Sequence, residues 1–186
     1  MQLFLYLSYL LFLLVEITLN RMFRSKSSDK KNADRKSILI LWGTICLSLF
    51  FAYTIARKIE LPIYIDSKAI YLSLVFLYGG IIIRLFAVYS LGKYFTVDVT
   101  IRNEHRLITG GLFKYVRHPN YLALLLCFLA LGIGFNNWIS LAVVLIPITI
   151  AFLIRINIEE KVLLEHFGNE YFEYTKRTKR LIPYIF

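Results

Sequence analysis

Two clusters in this chain carry side chains able to do chemistry. The first lies in His105-Arg106-Leu107-Ile108-Thr109-Gly110-Gly111-Leu112-Phe113-Lys114-Tyr115-Val116-Arg117-His118-Pro119-Asn120-Tyr121. Pro119 suits the first turn of a helix, where its missing N–H goes unneeded and its φ is already helical. Such a helix directs its unpaired N–H groups and positive dipole end toward the neighbourhood of Arg117 and His118, a ready-made site for a carboxylate or other anion. Gly110-Gly111 lets the backbone approach a ligand closely or turn sharply. Taken alone, Arg-His-Pro at a membrane boundary more often marks an interfacial helix start. The second cluster is Arg155, Glu159 and Glu160. Arg155 and Glu159 stand four apart and share one helix face. Glu160 is rotated by about 100°, so one acid can face a helix bundle while the other faces water. An isolated set of this kind is an i,i+4 surface pair at a charged helix end.

The elements that position these clusters are apolar helices. Of the 186 residues, 58% are hydrophobic and 18% charged, with a mean hydropathy of +0.62. A water-soluble core of this size cannot hide so much apolar surface, so lipid is the expected solvent for much of it. The net charge of +10 comes from basic residues between apolar runs, with no continuous stripe. They read as topology determinants and head-group contacts, not as a nucleic-acid site. Apolar runs at 2–20, 38–56 and 69–91 are each long enough to span a bilayer, which takes about 20 residues. A longer apolar block, 120–157, is interrupted at Gly132-Ile133-Gly134-Phe135-Asn136-Asn137, which reads as a tight turn between antiparallel helices. The expected architecture is therefore all-α and integral to the membrane, with about five spans, the last two a tight hairpin. Residues 1–91 hold three spans and a basic linker at 21–37, and residues 92–186 hold the hairpin at 119–157, the charged clusters and C-terminal helices.

Lysine and arginine counts orient the chain. The 21–37 linker carries seven (Arg21, Arg24, Lys26, Lys30, Lys31, Arg35, Lys36), segment 92–118 five, and 155–186 six, against three near 57–68 and none at 132–137. The expected N-terminus is outside, with both polar segments and the C-terminus cytoplasmic. Residues 23–37 read as a loop. Past Glu160, apolar positions at helical spacing and a break at Gly168-Asn169 predict an extended fifth helix and a short amphipathic helix at the interface. Glu16 and Arg84 fall inside predicted spans at matching depth, so a structural ion pair or snorkelling is preferred to a catalytic role. Cys46 and Cys127 lie in apolar runs and read as small hydrophobes. The apolar start, with no basic stretch before it and no A-x-A-like site after it, reads as a retained first span.

The ordered set Gly110-Gly111, Arg117-His118-Pro119-Asn120-Tyr121, Glu159-Glu160, Leu163-x-x-x-Phe167-Gly168-Asn169-Glu170-Tyr171-x-x-Tyr174 and Arg180-Leu181-Ile182-Pro183 resembles the isoprenylcysteine carboxyl methyltransferase family. That family belongs to a wider group including membrane phospholipid N-methyltransferases. The resemblance covers about residues 92–183, half of the chain. It implies an S-adenosylmethionine-dependent methyltransferase with its cofactor on the cytosolic side, working at the lipid bilayer on a lipophilic acceptor, with no metal. It further implies that His105, Arg106, Leu107, Ile108, Phe113, His118, Pro119, Asn120 and Tyr121 line the cofactor. Glu159 would hold its methionyl amino group, and Arg155 would be the catalytic group that binds the substrate carboxylate. Phe113 stands where relatives often carry tyrosine, which removes a hydroxyl. No GxGxxG follows a strand, which excludes a soluble Rossmann-type enzyme.

A carboxylate acceptor is ionised at neutral pH and needs no general base. The absence of an evident acid–base dyad therefore suits a carboxylate better than an amine or thiol, although His118 or His105 could act as a base. A phospholipid amine or a small thiol remains an alternative acceptor. A non-enzymatic transporter or scaffold would be marked by inverted repeats or broken helices at mid-membrane, and the sequence shows neither.

Overall fold

A computed structural model describes residues 2–23, 30–31, 35–65, 68–97, 100–101 and 106–186. Among the described residues six α-helices follow one another: α1 Gln2–Met22, α2 Arg35–Lys58, α3 Lys68–Leu91, α4 Pro119–Gly134, α5 Trp138–Phe167 and α6 Asn169–Arg177. Among the described residues, α1, α2, α3 and α5 are long and apolar enough to cross a membrane. At 16 residues, α4 is about 24 Å long, short of a hydrocarbon core of about 30 Å. The protein is an integral, multi-pass membrane protein. Helices satisfy their own backbone hydrogen bonds in lipid, and Leu3, Leu39, Val75, Phe86 and Ile154 project outward, more than half exposed.

Packing is closest between α3 and α4. A Cβ on Gly80 would lie 2.6 Å from Cys127 Sγ and 2.7 Å from the Ala123 carbonyl oxygen. The small residue lets the two backbones meet, as expected where no hydrophobic effect drives helices together. Cys127 is accordingly a buried packing residue, whereas Cys46 is exposed on the outer face. Phe12, Leu77, Ile81, Cys127 and Ala130 join α1, α3 and α4, and Ala52, Phe128, Val144, Ile148 and Phe152 join α2, α4 and α5.

Contacts at 121–155, 128–152 and 132–141 run α4 and α5 antiparallel. The connection is shorter than the expected 132–137 turn, because α4 continues to Gly134. Gly132 serves close approach, its Cβ position lying 2.6 Å from Leu141 Cδ1. Asn136 makes the turn at φ 47°, and Asn137 caps α5 by accepting from Ser140 N–H. Asn136 also exchanges hydrogen bonds with the Tyr64 backbone, and Asn137 Nδ2 donates to the Ile59 carbonyl. These bonds fasten the α2–α3 connection to one end of the bundle.

The polar segments gather at the other end. Val97 N–H donates to the Phe23 carbonyl. Lys30–Lys31 (β1) pairs antiparallel with Thr100–Ile101 (β2), so this part of the linker, read from sequence as loop, is a strand held by its partner. Val116 bridges Lys179. α5 extends to Phe167, and Gly168 at φ 55° turns the chain into α6. α6 is the short amphipathic helix expected after Gly168, and it packs on the protein: Tyr171 and Tyr174 bury their rings, and Tyr174 Oη donates to the Phe113 carbonyl at 2.6 Å.

Glu160 joins three of these pieces. Its carboxylate accepts from Arg117 Nε at 2.9 Å, lies 3.3 Å from His118 Nε2, and pairs with Arg180 at 2.7 Å. Of the two neighbouring acids Glu160 is the enclosed one, because the chain on either side of it returns three cationic or hydrogen-bonding side chains to the same point.

Gly79→Ala, with open space around its Cβ, should be neutral or stabilising by up to about 1 kcal/mol. Gly80→Ala should destabilise by about 1–3 kcal/mol by prising α3 from α4; thermal unfolding in detergent measures both, and equal effects would contradict the packing. Glu160→Ala should remove about 2–4 kcal/mol and speed amide exchange over residues 178–186 more than in α1.

Candidate active site

A cavity of about 390 Å³ lies at the boundary between the apolar body of the bundle and its polar end. The apolar arm is walled by Tyr9, Phe12 and Leu13 from α1, Leu41, Trp42, Ile45 and Leu49 from α2, and Leu124, Phe128 and Leu131 from α4. The polar end is walled by the 3₁₀ and extended stretch 106–118, the first turn of α4, the Arg155–Leu163 face of α5, and Tyr171 and Tyr174.

Arg106, Leu107, Ile108, Phe113, His118, Pro119, Asn120, Tyr121, Arg155 and Glu159 all line this cavity. His105 lies outside the described residues. Phe113 is buried in the 3₁₀ turn Gly111–Lys114, entered through Gly111 at φ 60°, so the Gly110-Gly111 pair serves a turn. His118 is the residue before the first turn of α4, and Pro119 occupies that turn as its sequence suggests. His118 N–H is spent on the Arg180 carbonyl at 3.0 Å. The C-terminal segment, not a ligand, therefore meets this amide.

The His118 ring is buried between two carboxylates, with Nε2 3.3 Å from Glu160 and Nδ1 3.9 Å from Glu159. Glu160 is already committed to Arg117 and Arg180, whereas Glu159 lines the cavity and is a third exposed. The 100° rotation between consecutive helix positions separates an acid that fastens the fold from one that lines the cavity.

Arg155 is 4% exposed. It donates from Nε to Tyr121 Oη at 3.0 Å, from one terminal nitrogen to Ser37 Oγ at 3.3 Å, and from the other to the Val97 carbonyl. Bonds to α2, α4 and the segment after α3 hold the guanidinium in one plane, one turn of α5 from Glu159. Such a fork can bind a carboxylate bidentately.

Glu16 and Arg84 form the ion pair expected from their depths, with bonds of 3.0 and 3.2 Å and both side chains buried. Arg84 also lies 5.4 Å over the Phe95 ring. Both residues line the cavity, so the pair that ties α1 to α3 is also a wall of the site. Arg117, which its sequence places at an anion site, also lines the cavity, as do Tyr171 and Tyr174, to which sequence spacing gives no site role. The two tyrosines stood out only as apolar positions at helical spacing, a signal that carries no information about a phenol group's partners.

Residues 71–165 match the model of the isoprenylcysteine carboxyl methyltransferase family. Protein-S-isoprenylcysteine O-methyltransferase B of Arabidopsis thaliana is 32% identical over 108 residues, covering 57% of this chain and 55% of that protein. The Saccharomyces cerevisiae protein-S-isoprenylcysteine O-methyltransferase is 32% identical over 104 residues, 55% and 44% of the two chains. A solved structure of a eukaryotic intramembrane Ras methyltransferase aligns with a TM-score of 0.57 at 23% identity, over 84% of this chain and 55% of that one. The chain thus spans about half the length of the curated relatives it matches. With half of its residues matched by the family model and its fold shared with the solved structure, the chain belongs to the isoprenylcysteine carboxyl methyltransferase family.

Proposed function

We propose that this protein is an integral membrane S-adenosylmethionine-dependent methyltransferase that esterifies the carboxylate of isoprenylcysteine or a similar lipophilic acceptor. The observation that carries this reading is a single cavity that joins an apolar arm among α1, α2 and α4 to a polar end presenting Arg155, His118 and Glu159.

The polar end suits a zwitterionic, heteroaromatic cofactor. Glu159 offers a carboxylate to an ammonium group. Asn120 Oδ1 is buried with no partner among the described residues, a state that favours a ligand carrying a hydrogen-bond donor. Phe113, Pro119 and Tyr121 supply apolar and ring surfaces. When bound, S-adenosylmethionine supplies an electrophilic methyl group on a sulfonium. Arg106, Leu107, Ile108, Phe113, His118, Pro119, Asn120, Tyr121 and Glu159 hold the cofactor, and His105 completes the set from outside the described residues.

Arg155 binds the acceptor carboxylate and aligns it. That group is ionised at neutral pH and needs no base, so the protein's task is positioning and exclusion of water. Residues 92–186 carry the polar groups, while α1 and α2 supply walls of the arm that takes the lipid chain from the bilayer. The basic residues of the polar end set it in the cytoplasm, with the N-terminus outside.

Glu159→Ala should weaken S-adenosylmethionine binding more than about tenfold by calorimetry, and undiminished binding would remove that assignment. Arg155→Ala should bind the cofactor within about threefold of wild type while losing roughly 10²-fold or more in turnover. Radiolabelled methyl transfer to a prenylcysteine, phosphatidylethanolamine and a small thiol should label the prenylcysteine alone. Labelling of either other acceptor would reassign the substrate class.

A further inference from the structure

We propose, building on the S-adenosylmethionine reading above, that Tyr171 of α6 is a further cofactor-binding residue, its hydroxyl donating a hydrogen bond to an oxygen of the bound cofactor. Tyr171 is 2% exposed and lines the same cavity as Asn120 and Glu159. Its hydroxyl is buried and has no partner among the described residues. Buried tyrosine hydroxyls are nearly always bonded. Tyr174, three positions on, shows that α6 allows it: its own hydroxyl reaches the Phe113 carbonyl at 2.6 Å. A residue needed only to fill space would serve equally well as phenylalanine.

The surroundings define which partner the hydroxyl seeks. Burial, then the carboxylates of Glu160 and Glu159, hold the Tyr171 phenol protonated, well above the usual tyrosine range. It is therefore a donor in need of an acceptor. Neither carboxylate serves: Glu160 is bonded to Arg117, His118 and Arg180, and no hydrogen bond joins the hydroxyl to Glu159. The acceptor comes from the ligand. S-adenosylmethionine carries two kinds of suitable oxygen, its amino-acid carboxylate and its ribose hydroxyls. α6 is a firm mount for such a contact, since Arg117 donates to the Thr175 carbonyl and Thr178 Oγ1 donates to the Tyr174 carbonyl.

The test is Tyr171→Phe in the full-length protein in detergent, which deletes one oxygen and keeps the ring. Calorimetry with S-adenosylmethionine and with its decarboxylated analogue is paired with thermal unfolding in the absence of ligand. The expected result is about five- to tenfold weaker S-adenosylmethionine binding with an unfolding temperature equal to or above wild type, since the protein loses an unsatisfied group. Weakening confined to S-adenosylmethionine supports the proposal with the carboxylate as acceptor; weakening shared by the analogue supports it with a ribose oxygen. Unchanged affinity for both overturns it while leaving the cofactor reading intact. So does an unfolding temperature lowered as in Tyr174→Phe, because the hydroxyl then has a partner inside the protein. A wild-type protein that binds neither ligand overturns the cofactor reading and this proposal together.

Discussion

Glu160 is where the polar end of the molecule is tied. One carboxylate near the end of the long α5 helix draws Arg117 and His118 from the start of α4 and Arg180 from the C-terminal segment. Each partner brings its own backbone. Arg117 and His118 donate their N–H groups to the carbonyls of Lys179 and Arg180, and the Arg117 side chain reaches the Thr175 and Thr178 carbonyls. A half-buried anion with several charge-assisted donors is strongly bonded, and removing it leaves buried cations uncompensated. The start of α4, and with it the candidate site, is held by this contact.

Because α5 is continuous from the apolar body into the polar end, it works as a ruler. Phe152 packs on Tyr121 and Phe128. Arg155, less than a turn on, meets Tyr121 Oη, and Glu159, a further turn on, faces the polar end. A rise of about 1.5 Å per residue thus grades one wall of the cavity from hydrocarbon to guanidinium to carboxylate over about 10 Å. That gradient suits an acceptor with an apolar chain and an anionic head beside a cofactor with an ammonium. The cavity wall and the anchor of the fold share the helix but use different faces of it, and the rotation between Glu159 and Glu160 keeps them apart.

The Glu16–Arg84 pair shows the same economy in the first half of the chain. Two charges inside apolar helices are tolerable when they meet, and their meeting ties α1 to α3. The sequence reading preferred a structural role over a catalytic one. The pair forms, and it also lines the cavity, so the distinction between scaffold and site is less sharp than two isolated residues in a sequence suggest.

Composition and spacing by themselves determined the membrane setting, the helical class, the break at Gly168, the helix start at Pro119 and the clusters at 106–121 and 155–160. Each is local: an apolar run, a proline, a glycine and an i,i+4 pair carry their meaning within a few residues. The tertiary structure alone decided what depends on groups far apart in the chain. It carried α4 through Gly132, packed against Leu141, to Gly134, paired part of the basic linker with Thr100–Ile101, and decided that Glu160 is the acid held by Arg117, His118 and Arg180. It also left the Tyr171 hydroxyl without a partner among the described residues, beside the cavity. Periodicity reports which face of a helix is buried, whereas hydrogen-bond partners are set by the elements that arrive against that face, and some of these come from more than 100 residues away.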